Sequence, residues 1–275
     1  MTKPWLSYLI CSTPRSGSTL LCEAMTSTGF AGRPEEYYQQ RKKTGLPRRP
    51  REYFEDAETA EIVEILGDVT RVDDEVSQYN SRRFDHYADY LAWTISEATT
   101  PNGVFGAKLM WGYFNGFISY LRQLPGREDL APAEILPSVF PNLHFVWVTR
   151  NDKARQAVSL WKALQTWTWR RDDDDGRVVQ GDLRYSFDAI DHLVGSIRAD
   201  EAAWHAYFAE VGVVPHNVVY EEFAQNYAEV VLGIIDFLGI EHAPEEIQPP
   251  RMTKQSDDVS EDWFARYSAD AAVRR

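Results

Sequence analysis

An α/β fold with a central parallel sheet and helices on both faces is predicted by three observations. Apolar strand-like runs alternate with stretches of helical periodicity three or four times along the chain. The first run, Trp5 to Cys11, passes through a turn of small residues, Ser12-Thr13-Pro14-Arg15-Ser16-Gly17, straight into a helix. A second strand-to-helix junction follows Leu143–Val148 at Thr149-Arg150-Asn151-Asp152.

Composition narrows the class. At 275 residues and 44% hydrophobic content the chain can bury a sizeable core, and with no repeat, Gly/Ser linker or low-complexity tract it is expected to be a single domain, 1–275. Its net charge of −13 argues against binding a nucleic-acid backbone, although a few local cations in a cleft still suffice for a small anion. The two cysteines, Cys11 and Cys22, fall on the first strand and helix and give no disulfide framework, which suits a reducing cytoplasm. Nowhere do about 18 apolar residues run together, so no membrane span is expected. The six histidines are scattered without metal-ligand spacing, and no metal site is expected.

Taken in order, the first strand is followed by a helix from about Ser18, with Leu20, Leu21, Cys22 and Met25 inward and Gly29 as its stop. Glu35 and Glu36 read as a solvated pair opening a short helix, with one carboxylate turned inward as the alternative. Residues 41–51, basic and broken by Pro47 and Pro50, read as a surface loop. Helices are expected over 57–67 and 82–99, joined by an acidic link at 68–80. Val104–Trp111 is a second core strand; Lys108 near its carboxyl end faces either the cleft or solvent. Phe114–Leu121 outlines a helix, and 125–142, with four prolines, is chiefly loop. Leu143–Val148 is the clearest buried strand, leading to a helix from Lys153 to about Thr166. Residues 167–186 carry tandem acids and read as an exposed insertion. A long amphipathic helix at 187–210, a strand at 213–220 and a helix ended by Gly239 complete the pattern, and 248–275 is a C-terminal segment able to fold back over a ligand.

The turn at 12–17 directs backbone N–H groups and the positive end of a helix dipole at one place, to which Arg15, Ser18 and Thr19 add side-chain donors; a phosphate-like group can settle there. The same residues also fit a plain strand, turn and capped helix without a ligand. The nucleotide-triphosphatase pattern fails, because position 12 is Ser and Ser18 stands where its Lys belongs. Arg150 marks a second place where strand meets helix and an anion can be received, with Ser159 two turns into the following helix.

The segment S-T-P-R-S-G-S-T-L-L at 12–21 together with T-R-N-D-K-A-R-Q-A-V-S at 149–159 resembles the two phosphate motifs of sulfotransferases. G-R-P-E-E-Y-Y-Q, P-R-E-Y-F, P-N-G-V-F-G-A-K-L-M-W, S-L-W-K-A-L-Q-T-W-T-W-R and K-Q-S-D-D-V-S-E-D-W make the chain similar to the bacterial trehalose 2-sulfotransferase type over about residues 5–267. The resemblance implies a P-loop-type three-layer sandwich and transfer of a sulfuryl group from 3′-phosphoadenosine-5′-phosphosulfate to a sugar hydroxyl, trehalose or a related sugar or glycolipid. It implies that Arg15, Ser16, Gly17, Ser18 and Thr19 cradle the 5′-phosphosulfate, that Arg150 and Ser159 hold the 3′-phosphate, and that Lys254 and Gln255 complete the nucleotide pocket. Glu36 matches the general base, Arg15 the charge-stabilising cation, and Arg33, Glu36 and Gln39 the acceptor side. The family tends to carry an acid where this chain has Arg33, so an anionic sugar is admitted as acceptor. A homodimer is implied as well. The competing expectations are a kinase-like phosphotransferase, which requires magnesium and ATP, and a nucleotide-binding protein without catalysis.

Overall fold

Leu6–Ser12 forms strand β1, and all seven of its residues are buried. The computed structural model describes residues 3–67, 84–166, 169, 183–241 and 257–274; the expected link at 68–80, most of the expected insertion at 167–186, and Lys254 and Gln255 lie outside them. β1 pairs in parallel with β2 (Val104–Met110) on one side and β3 (Leu143–Thr149) on the other, and β4 (His216–Val219) adds parallel to β3. The sheet order is therefore β2-β1-β3-β4. A strand covered on both faces has no polar side, which is why β1 reads as a continuous apolar run rather than an alternation.

The chain divides into two compact units, one of residues 1–47, 76–151 and 200–251, the other of residues 48–75, 152–199 and 252–275. The sheet belongs to the first. Successive side chains of its strands point to opposite faces, and each face carries its own core. Leu9, Cys11, Phe105, Ala107, Leu109, Phe145 and Trp147 pack under α3 (Tyr87–Ala98), α4 (Trp111–Leu121), α5 (Pro132–Val139) and the second half of α7 (Phe187–Glu210). Leu6, Tyr8, Ile10, Val104, Val146, Val148 and Val218 pack under α1 (Ser18–Ser27), Phe223 of α8 (Tyr220–Gln225) and α9 (Tyr227–Phe237). Helix, sheet and helix make the three layers.

Trp204 is fully buried on the first face among Trp111, Phe114, Trp147 and Phe208, and its Nε1 donates to the carbonyl of Ser12 at 3.1 Å, where β1 ends. Trp204→Phe keeps most of the ring but removes that bond, so urea unfolding is expected to show a loss of about 1–3 kcal/mol. Trp204→Ala, which leaves a cavity, is expected to lose about 3–5 kcal/mol.

On the opposite face His144 and His216, from neighbouring strands, both set their rings against Phe237, at 5.5 and 4.9 Å between centroids. Burial holds both imidazoles below their ordinary value. A depressed base is neutral in the folded state while the unfolded chain, with a value of about 6.5, takes up protons. Stability is therefore full above about pH 6.5 and falls as pH drops toward the folded values. Melting temperatures between pH 7.5 and 5 are expected to fall, and the His144→Gln/His216→Gln double variant to flatten the slope; equal slopes would count against this reading.

The second unit contains a 3-10 turn (Pro50–Phe54), α2 (Ala60–Gly67), α6 (Lys153–Thr166), the first half of α7 and α10 (Asp258–Arg274). Trp161 is its centre: the ring meets Phe54 edge-on at 5.7 Å and Nε1 donates to the Arg184 carbonyl at 2.8 Å. α10 is held on α6 by Arg155, which bonds Glu261 at 2.6 Å and lies 3.9 Å over the Phe264 ring, and by the Lys162–Asp257 pair.

Two local expectations change. Residues 125–142 are chiefly loop, as expected, but enclose a helix that was not: α5 forms because Pro132 sits in the first turn, where its missing N–H is not needed, and Glu134 accepts from the Ala131 N–H at 3.2 Å. Burial of Ile135 and Leu136 offsets the bond that Pro137 cannot make. The Glu35-Glu36 stretch opens no helix; it is an extended strap, described next.

Candidate active site

β1 and β3 are neighbours, yet the chain leaves β1 toward β2 on one side and leaves β3 toward β4 on the other. A crevice at the carboxyl ends of two such strands is where open α/β sheets receive ligands. The loop 12–17 leaves one of these strand ends and Arg150 the other, and Ser12 pairs with Val148 two residues before it.

Within the loop Arg15 adopts φ 61° and Gly17 φ 91°. A non-glycine residue in the left-handed region carries strain of order 1–3 kcal/mol, tolerated where surrounding structure fixes it. At Gly17 an added Cβ would lie 2.4 Å from Cδ2 of Tyr220, so the ring packs directly on the turn. The Arg150 guanidinium lies 4.8 Å from the centre of the same ring. Tyr220 thus touches both strand-end positions. Ser16 is fully buried with no hydrogen-bond partner for its hydroxyl, as is Ser12. Buried donors without partners beside a helix N-terminus suit an oxyanion, and Arg15 and Arg150 add positive charge at the two strand ends. Ser18 is buried in the first helical turn and Thr19 is half-buried beside it.

Glu36 reaches the site by a strap along the outer edge of β2. The Tyr8 hydroxyl crosses Gly106 and donates to the Ala31 carbonyl at 2.6 Å. Gly32, at φ 79°, passes so close that a Cβ would lie 2.9 Å from the Gly106 nitrogen. The Lys108 N–H then donates to the Glu35 carbonyl at 2.9 Å. Beyond Glu36, Tyr38 stacks on Phe117 at 4.2 Å and shares a 3.1 Å hydrogen bond with Thr94, while the Tyr90 hydroxyl donates to the Tyr37 carbonyl. A side chain on backbone fixed at both ends is well placed for catalysis. Of the two acids, Glu35 is exposed and Glu36 turns inward.

Lys108 resolves the alternative left open by the sequence. Its side chain is 5% exposed, its Nζ lies 2.8 Å from Glu36 Oε2 and donates to Thr19 Oγ1 at 3.3 Å. Carboxylate, ammonium and the first turn of α1 are thereby brought together.

The family model described as Stf0 sulphotransferase matches residues 7–270. The chain belongs to that family. This Stf0 sulphotransferase is 34% identical to the trehalose 2-sulfotransferase of Mycobacterium tuberculosis (strain ATCC 35801 / TMC 107 / Erdman) over 98% of its own length and 97% of that protein's. It is 33% identical to the trehalose 2-sulfotransferase of Mycolicibacterium smegmatis, covering 96% of this chain and 95% of that one. Among solved structures, the sulfotransferase domain from the Curacin biosynthetic pathway aligns with a TM-score of 0.48 at 15% identity, over 94% of this chain and 83% of that one.

The remaining residues singled out in the sequence of this sulphotransferase are placed as follows. Arg33 is exposed, its Nη1 3.4 Å from the Glu97 carbonyl. Gln39 is half-buried just past the tyrosines of the strap. Ser159 stands on α6, in the second unit. Sequence reasoning missed Tyr220, for which no local pattern signals contact with a turn two hundred residues away. It left Lys108 undecided although a signal was present: Val104, Gly106 and Lys108 share one pleat face, the face that α1 covers. Among the described residues no group of three or more His, Cys, Asp or Glu side chains could hold a metal ion, and no helix is long and apolar enough to cross a membrane.

Proposed function

We propose that the enzyme transfers a sulfuryl group from 3′-phosphoadenosine-5′-phosphosulfate to a hydroxyl of trehalose or a related sugar or glycolipid. The observation that carries this reading is the contact of the Glu36 carboxylate, through Lys108, with Thr19 in the first turn of α1, directly after the loop 12–17. Family membership and two trehalose 2-sulfotransferase relatives at near full coverage support the reaction and the acceptor class.

In this mechanism Glu36 takes the proton of the acceptor hydroxyl. The O–H bond breaks, a new oxygen–sulfur bond forms in line with the breaking bond to the phosphate oxygen, and that oxygen keeps the electron pair. The products are a sulfate ester and adenosine 3′,5′-bisphosphate. Little covalent help is needed, so positioning and charge stabilisation dominate. Arg15, Ser16, Gly17, Ser18 and Thr19 serve the phosphosulfate, with Arg15 facing the charge that develops on it. Arg150 serves the 3′-phosphate, and Ser159, Lys254 and Gln255 keep the nucleotide roles that the family resemblance gives them. Arg33 and Gln39 serve the acceptor beside Glu36, and the exposed guanidinium suits a sugar carrying an acidic group. No metal enters. The enzyme acts in the cytoplasm, where its two buried free thiols stay reduced, and as a homodimer.

Incubation with ³⁵S-labelled donor and a panel of sugars, trehalose and acidic glycolipids included, is expected to yield a labelled ester by mass spectrometry, unchanged by EDTA. Transfer of the γ-phosphate of ATP that needs magnesium would replace this reading with a phosphotransferase. Tight binding of adenosine 3′,5′-bisphosphate without any product would replace it with a nucleotide-binding protein.

A further inference from the structure

We infer that Lys108 is a positioning residue that fixes the proton acceptor to the donor loop, so that Glu36 and the turn at 12–19 keep one registry throughout the reaction. The inference deepens the proposed function and rests on it for the identity of the ligands.

A lysine buried to this degree has to find compensation for its desolvated charge. Among the described residues it finds two partners, and they belong to the two halves of the site: Oε2 of Glu36 at 2.8 Å on the strap, and Oγ1 of Thr19 at 3.3 Å in the first turn of α1. Lys108 is itself anchored from both sides, since β2 pairs it with Ile10 of the central strand and its own N–H is bonded to the Glu35 carbonyl at 2.9 Å. The residue next to the base is therefore hydrogen-bonded to the backbone of the residue that grips the base. Glu36 is 22% exposed at the side chain against 5% for Lys108, so of the two groups the carboxylate is the one open to the outside. Displacing a reacting group by about 1 Å can lower the rate about a hundredfold, and loss of the Lys108 tether removes the ion pair that holds Glu36 against the donor turn.

The test uses the full chain with the labelled donor, trehalose and adenosine 3′,5′-bisphosphate. Lys108→Met is expected to lower kcat about a hundredfold while KM for trehalose and the calorimetric Kd of the bisphosphate stay within about threefold. Lys108→Arg, which keeps the charge, is expected to recover a large part of kcat. In a Glu36→Gln background, Lys108→Met is expected to add no further loss, because the two act as one unit. An equal loss in both backgrounds, or a loss of bisphosphate binding as large as the loss of kcat, overturns the inference. So does a fall in kcat that Lys108→Arg fails to recover while its melting temperature matches wild type. If wild-type enzyme sulfates nothing in the panel, the proposed function fails but the tether is still read from the ¹⁵Nζ resonance of Lys108, assigned by its absence in Lys108→Met. That resonance is expected to move in both Glu36→Gln and Thr19→Val; a resonance unmoved by either variant overturns the inference independently of activity.

Discussion

Glu36→Gln is expected to lower kcat by about 10²–10⁴-fold and to leave calorimetric binding of adenosine 3′,5′-bisphosphate unchanged. The amide keeps an oxygen that accepts from Lys108, so the buried ammonium still has a partner and the fold is retained, but it takes up no proton. Glu36→Ala differs in an informative way. It leaves Lys108, whose Nζ lies 2.8 Å from the lost carboxylate, buried without its anion, and removing one member of a buried pair typically costs about 3–5 kcal/mol. Turnover should therefore fall in both variants, whereas the melting temperature should fall markedly only in the alanine. Weak bisphosphate binding in Glu36→Gln, with normal turnover once saturated, would show that the carboxylate serves the nucleotide instead.

Gly17→Ala is expected to weaken bisphosphate binding by at least tenfold, about 1.4 kcal/mol. Its φ of 91° is strained for any side chain, and the new methyl would stand 2.4 Å from Cδ2 of Tyr220. The ring cannot give way without moving relative to Arg150, whose guanidinium lies 4.8 Å from its centre, so both strand-end positions are disturbed by one methyl group. Tyr220→Leu in the Gly17→Ala background should restore part of the binding by removing the clash, although not the backbone strain. Comparison of adenosine 3′,5′-bisphosphate with 5′-AMP separates the two ends: Tyr220→Leu alone should narrow the preference for the bisphosphate, while Tyr220→Phe should keep it. A preference unchanged in Tyr220→Leu would mean that the ring does not set the spacing of the two ends.

Much of this arrangement was legible because it follows from local chemistry. The run Trp5–Cys11 and its small-residue turn have no better explanation than a buried strand feeding a helix, and the sheet places β1 at its centre. The helix at 187–210 was legible from its apolar spacing alone. Local rules failed where distant partners decide. Glu35 and Glu36 look alike as neighbours on a loop, and only the buried Lys108 distinguishes them. Four prolines mark 125–142 as chiefly loop, which it is, but they hide the short helix Pro132–Val139 that burial of Ile135 and Leu136 favours. The helix Asp258–Arg274 went unnoticed, although Trp263, Tyr267 and Ala271 recur at four-residue spacing and pack in the core of the second unit.

β2 is the rim of the sheet, and the outer rim of a sheet is a template on which another chain can add itself. Here the rim is covered from two directions: by the turn that enters β2, where Thr99 bridges Phe105 and the Thr100 N–H donates to the Val104 carbonyl, and by the strap that carries Glu36, whose Glu35 carbonyl takes the N–H of Lys108. The stretch of backbone that positions Glu36 thus also covers part of an exposed sheet edge. Any lineage that reshapes this strap to admit a new acceptor has to keep its outer flank closed, so exchange of substrates should run through outward side chains such as Arg33 rather than through insertion or deletion.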